Sequence, residues 1–243
     1  EVFQRIIADA DHEITSSTRE LFAAGVAGGL AISVTFLLYA SLSAQTENPF
    51  LASVLYPLGF LYIILGGYQL YTENTVPPVA LVLERLASIP ALLRHWLIVF
   101  TGNAAGGVFG ALVLAYTGVF EPAAAAEAIA ISQKGVDTAW WDLFVKGAFA
   151  GLVVAGVVWV DFSATDTISR VVMVYLAFLA IPLGNLFHSV VSVTEVVYLV
   201  AEGELALLPG LTGFVLPVLL GNTVGGVVLV TIVNYYQTSD RRL

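Results

Sequence analysis

The sequence contains no cysteine and a single methionine. Without cysteine there is no disulfide, no thiolate metal site and no cysteine nucleophile. Charge is scarce as well: only 11% of the 243 residues are Asp, Glu, Lys or Arg, where ordinary soluble domains carry about 25%. Basic residues are scarcest, with 9 Lys and Arg against 18 Asp and Glu and a net charge of −9. So acidic a chain lacks the positive surface that nucleic-acid phosphates need. No metal-ligand cluster and no nucleophile–base pair is visible, so the sequence reads as a non-enzyme without cofactor or metal. The chain begins at Glu1 rather than methionine and shows no signal peptide, so its native start is expected upstream.

What is present is apolar length: 58% of residues are hydrophobic and the mean hydropathy is +0.90. The chain is therefore read as an all-α integral membrane protein with a lipid bilayer for solvent. Residues 1–20 precede the spans. Val2, Phe3, Ile6, Ile7 and Ala10 recur there at helical spacing, which predicts an amphipathic helix on the membrane surface or against another subunit. Ser17-Thr18-Arg19-Glu20 fits a capping box at the start of the next helix. Six spans follow, at about 21–42, 50–83, 96–117, 143–160, 171–200 and 211–236. The stretch 118–141 reads as a connection, and its Trp140-Trp141 pair suits a membrane interface.

Two spans are interrupted. In the second, Leu70-Tyr71-Thr72-Glu73-Asn74-Thr75-Val76-Pro77-Pro78 places polar and proline residues inside an apolar run. Proline suits a first helical turn, and Asn74 or Thr75 is expected to cap the helix that restarts there. In the fifth, Pro182, Gly184, Asn185 and His188 interrupt the run. Non-helical backbone at membrane depth is tolerated only where protein buries it or it lines a cavity.

The breaks sit at matching places in a repeat. Gly102-Asn103-Ala104-Ala105-Gly106-Gly107 recurs as Gly221-Asn222-Thr223-Val224-Gly225-Gly226, 119 residues later. Residues 21–117 and 143–236 therefore read as two three-helix repeats, within one channel domain covering 21–240. Three being odd, the copies insert with opposite topology, and in such folds the site lies where the breaks meet. Six spans place both termini on one side. With that side cytoplasmic, the inner segments hold Arg5, Arg19, Arg85, Arg94, Arg170, Arg241 and Arg242 and the outer segments only Lys134, as positive-inside bias demands. The protein is thus expected in the cell membrane, multi-pass, with both termini cytoplasmic.

At the breaks, His188 is the one histidine inside a predicted span, and Asn185, three residues before it, is expected on the same helical face. Thr72 brings a hydroxyl, and Asn103 and Asn222 bring amides. Helix N-termini made by the breaks add N–H groups and partial positive charge. Such a centre suits a small monovalent anion. Glu73 beside Asn74 would repel that anion if it were ionised and facing it. It is read as capping the half-helix, facing the cytoplasmic vestibule, or protonated. Two rivals remain: a channel for a small cation or neutral solute such as ammonium, selected by Glu73, and a non-conducting membrane scaffold. His12 and His95 fall outside the predicted spans and are expected in solvent.

At these residues the chain resembles the formate/nitrite transporter family. The features that carry the likeness are residues 70–76, Asn103 with its glycines, Phe187-His188-Ser189, and Asn222 with Gly221, Gly225 and Gly226. The resemblance implies an aquaporin-like fold with one pore per subunit, assembled as a homopentamer and passing small weak-acid anions such as formate or nitrite, often with a proton. It implies that Thr72, His188 and Asn222 stand at the pore centre and that Lys134 draws anions in. It implies an outer constriction of Phe60 with Ile181 and an inner one of Leu70, Tyr71 and Val154. The family usually has phenylalanine where Ile181 stands and small hydroxyl residues where Glu73 and Asn74 stand, so the chain reads as a divergent branch.

Overall fold

The structure, a computed structural model, describes residues 2–239 and contains helices and turns with no strand among them. Arg241 and Arg242, which entered the orientation argument, and residue 240 lie outside the described residues. Among the described residues, five stretches are long and apolar enough to cross a membrane: Thr18–Ser43, Pro49–Gly66, Ile89–Tyr116, Trp140–Asp161 and Leu207–Gln237. Two shorter apolar helices, Thr167–Leu183 and Ser189–Ala201, together occupy the place of the fifth expected span.

Helix α1 (Val2–Thr15) is amphipathic as its spacing predicts, but it docks on its own chain. Phe3, Ile6 and Ala10 are buried, and the first two pack with Val76, Ala80, Ala155, Val158 and Val230. Helix α2 (Thr18–Ser43) begins at the expected capping box: Ser17 Oγ accepts the Glu20 N–H, and the Glu20 carboxylate accepts the Ser17 N–H. Both of these otherwise orphaned donors are satisfied.

The second span comes in three pieces, α3 (Pro49–Ser53), α4 (Leu58–Gly66) and α5 (Pro77–Leu83). The turn at 54–57 ends in Pro57, which has no N–H to give a helix. Thr35 on α2 repairs the ladder there: its hydroxyl donates to the Tyr56 carbonyl (2.9 Å) and accepts the Gly59 N–H (3.1 Å). Helix α6 (Ile89–Tyr116) starts a turn and more before the expected span. That places His95 inside it, fully buried rather than solvated. The expected connection instead holds a helix, α7 (Pro122–Val136), and Trp140-Trp141 open α8 (Trp140–Asp161).

Helices α9 (Thr167–Leu183) and α10 (Ser189–Ala201) flank the second break. The last rod is α11 (Leu207–Gly210), α12 (Leu216–Gly226) and α13 (Val233–Ser239), joined by π-helical turns over Leu211–Val215 and Val227–Ile232. The main pairings run α2 along α6 and α8 along α12. Glycine permits both: a Cβ on Gly29 would lie 2.1 Å from the Asn103 carbonyl oxygen, and one on Gly151 would lie 2.2 Å from that of Asn222. The repeated Gly-Asn motifs thus face glycines of the neighbouring span, where small residues let backbones meet.

Candidate functional site

The first break begins at Gly67, whose left-handed φ of 69° ends α4. Residues 68–72 run on without regular structure into a single 3₁₀ turn, Glu73–Thr75. The cap of α5 differs from expectation. Its N-cap is Val76, with no side-chain bond, and the two prolines take the first positions, where no N–H is needed. Asn74 is used elsewhere: its Nδ2 donates to Gln69 Oε1 and the Leu70 carbonyl, and its Oδ1 meets His95 Nε2 at 2.9 Å. With Nδ2 already the donor, His95 must donate to Oδ1. Thr75 Oγ1 donates to the Thr72 carbonyl at 2.8 Å.

The second break is made by Gly184 and by Asn185 at a left-handed φ of 54°, a conformation asparagine tolerates. Asn185 and His188 therefore do not share a helical turn. Asn185 is exposed, while His188 is buried and serves as the N-cap of α10, although both border the same small cavity. His188 Nδ1 accepts the Val190 N–H at 3.3 Å. The proton of the neutral ring then sits on Nε2, which donates to Thr72 Oγ1 at 2.8 Å. The two breaks thus meet through one side-chain pair, each member 1% exposed. This arrangement leaves the Thr72 hydroxyl proton free to serve a ligand.

One hydrogen-bond pattern holds both breaks. Asn103 Oδ1 accepts the Tyr71 N–H, and its Nδ2 donates to the carbonyls of Gly25 and Gln69. Asn222 Oδ1 accepts the Ser189 N–H, and its Nδ2 donates to the carbonyls of Gly147 and Phe187. Each amide satisfies buried or half-buried backbone groups of a break. Asn222 thereby differs from expectation, because its amide is spent on backbone and it positions the centre instead of presenting a group there.

Around His188 the wall is aromatic. Phe60 meets its ring edge-on at 5.1 Å between centroids and stacks on Phe178 at 3.9 Å. Phe60, Phe178, Ile181, Leu70 and Val154 share one buried apolar cluster. Tyr71 does not join Leu70 and Val154. It packs with Leu21, Val99, Trp96 and Phe100, and its hydroxyl meets Thr223 Oγ1 at 2.7 Å.

Two cavities flank this centre. The larger, about 1120 Å³, is lined by α1 and by the first break, including Glu13, Gln69, Glu73 and Asn74. Glu73 does not cap α5; it lines this cavity, and its Oε1 is buried with no hydrogen-bond partner. Glu13, on α1, accepts a hydrogen bond from Gln69 Nε2 at 2.9 Å. Burial pushes its carboxyl up to about 7. The smaller cavity, about 50 Å³, is lined by Tyr39, Tyr56, Lys134, Asn185, His188 and Glu195. Lys134 lies in the last turn of α7.

Two residues of this neighbourhood escaped the sequence reading. Phe178 is one of 14 phenylalanines and carried no distinguishing mark. Glu195 did carry one, as the lone charge within Ser189–Ala201, two helical turns beyond His188.

A polytopic helical membrane protein whose two interrupted spans meet on a buried histidine–threonine pair has the architecture of a channel or transporter. The chain belongs to the formate/nitrite transporter family: that family's sequence model matches residues 1–236. Inner membrane protein YfdC of Escherichia coli is 27% identical over 97% of this chain and 77% of its own length. Formate channel FocA of Haemophilus influenzae is 25% identical over 89% of this chain and 86% of its own. Among solved structures, one described as an FNT family ion channel superposes with a TM-score of 0.89 at 20% identity, covering 98% of both chains. A pentameric formate channel with formate bound gives 0.77 at 22% identity, over 90% of this chain and 97% of its own. At those identities the likeness establishes the fold.

Proposed function

We propose that this protein conducts small monovalent anions of weak acids, of the size of formate or nitrite, with a proton linked through His188. The observation that carries the reading is the Thr72–His188 bond where the breaks meet, between two cavities. A bare charge crossing the apolar wall of Phe60, Phe178, Ile181, Leu70 and Val154 costs several kcal/mol or more. A weak acid avoids most of that cost by crossing protonated. Thr72 donates to the anion. The His188 ring first takes a proton at Nδ1 from the smaller cavity it lines, releasing the Val190 N–H, and the imidazolium then gives its Nε2 proton to the anion through or beside Thr72 and returns to a neutral ring. Asn103 and Asn222 hold the breaks so that these groups meet, and Asn74 fixes the first break to α6. Lys134 draws the anion toward the smaller cavity. Glu73 lines the larger cavity.

The paired asparagine patterns support two inverted three-helix repeats in one aquaporin-like channel domain with spans two and five broken. The pentameric relative supports a homopentamer with one pore per subunit. The basic residues support a cell-membrane protein with cytoplasmic termini, which makes the larger cavity the inner vestibule and the smaller the outer one.

One observation favours a second reading. The unpartnered Glu73 oxygen, facing the larger cavity near Glu13, suits selection of a cation such as ammonium. Flux in proteoliposomes separates the two. A screen of small weak acids across pH is expected to show formate or nitrite flux that rises as pH falls, with no ammonium flux. Ammonium conducted without formate would overturn the anion reading, and Glu73→Ser restoring anion passage would then place that side chain in control.

A further inference from the structure

His188, Val191 and Glu195 fall on one face of the same polypeptide stretch, and all three line the smaller cavity. Glu195 stands about 10 Å beyond His188 along the helix axis. It is the lone charge of α10 and only 6% exposed. Lys134, across the cavity on α7, is the charge that acts on it, yet no ion pair joins the two among the described residues. A buried carboxyl without a bonded partner costs stability. Its place in this cavity is explained by what passes through.

We propose that Glu195 sets the acid-dependent admission of the anion at the smaller cavity. With its carboxyl ionised, Glu195 cancels the charge of Lys134 and holds a negative group beside the anion's path. When one carboxyl oxygen takes a proton from the solution on that side, an O–H bond forms and the +1 of Lys134 stands unopposed. The same O–H then donates a hydrogen bond to the anion. Proton and anion therefore load together, one step before His188. This inference rests on the anion-channel reading above.

The other groups that face Glu195 do not take over this role. Tyr39 on α2 and Tyr56 between α3 and α4 border the cavity as neutral phenols, and both feel the charge of Glu195. Glu127, also on α7, acts on Tyr39. His188 is held by Thr72 and by the Val190 N–H. On α6, Arg94 and His95 bond to Thr18 and Asn74, and Tyr116 is exposed. The last rod carries no titratable residue before Tyr235, and Glu202 and Glu204 lie past the end of α10.

The test is formate uptake by the full chain in proteoliposomes, with outer pH stepped between about 5.5 and 7.5, for wild type, Glu195→Gln and Lys134→Gln. Wild type is expected to speed up as pH falls. Glu195→Gln is expected to run about tenfold faster than wild type at the higher pH, with a flattened pH profile. That is the size of effect expected on removing one charge several ångströms from the path. Lys134→Gln, at an exposed site that spares the fold, is expected to move the acid midpoint of uptake to higher pH, because no cation then favours the ionised carboxyl. Glu195→Gln with the wild-type rate and pH profile overturns the proposal. If that variant does not assemble, an unmoved midpoint in Lys134→Gln overturns it. A wild type silent toward every weak acid is the distinct failure of the anion-channel reading, and Glu195's role falls with it.

Discussion

Asn222→Leu is expected to cost the protein about 3 kcal/mol or more, a large share of the roughly 5–15 kcal/mol that holds a typical fold. Leucine keeps the volume but removes the whole amide. The Ser189 N–H and the Phe187 carbonyl then lose their partner at once, and the Gly147 carbonyl, already bonded within α8, loses a second one. Each buried group left unpaired costs about 1–3 kcal/mol. The Ser189 N–H belongs to the first turn of α10, so its release unseats His188 as well. Thermal unfolding of the purified protein in detergent should fall by about 10 °C or more, and transport should vanish although Asn222 is not on the route. Asn103→Leu should behave alike, because it would release the Tyr71 N–H and the Gln69 carbonyl and remove the second bond to the Gly25 carbonyl. A leucine variant as stable as the wild type would show these bonds to be dispensable.

His188→Phe is expected to leave the fold standing and to lower formate uptake about a hundredfold, with a flattened pH dependence. The new ring fills the same space against Phe60, so packing is kept. What goes is the acceptor for the Val190 N–H, worth about 1 kcal/mol as a helix cap, the bond to Thr72, worth about as much again, and the one ring in the centre able to carry a proton. If neutralising the anion is worth even 2.7 kcal/mol of barrier, its loss is a hundredfold in rate. Uptake measured from about pH 5 to 8 in proteoliposomes reads both effects. Unchanged uptake with an unchanged pH profile would remove His188 from the mechanism.

The two breaks were legible because glycine and proline interrupt apolar runs that lipid would otherwise keep helical. Gly67 and the Pro77-Pro78 pair mark one, Gly184 and Asn185 the other. The repeated Gly-Asn motif was also legible, but not its use: an asparagine in a span looks the same in sequence whether its amide meets a ligand or a backbone. Only coordinates separate Asn222, fully engaged, from Thr72, with a proton to spare. The direction of Tyr71 was hidden for a related reason, because irregular backbone has no period from which to infer a face. Helix α7 was missed because its alanine-rich run is too short to span a membrane and its apolar stripe is weak. His95 was misplaced because α6 begins a turn and more ahead of its apolar run, behind the Ser88 cap. Glu195 was visible as a charge in a short apolar helix, and only its place across a cavity from Lys134 gives that charge a meaning.

The absence of cysteine makes the most direct test simple, since Thr72→Cys carries the only thiol in the chain. Formate uptake by this variant is measured in proteoliposomes before and after a small neutral methanethiosulfonate, with and without excess formate present during the reaction. If Thr72 and His188 stand on the permeation route, the thiol is labelled, uptake falls by at least about tenfold, and formate slows the labelling. A thiol that reacts without changing uptake, or one that never reacts, contradicts the route through the meeting point of the two breaks.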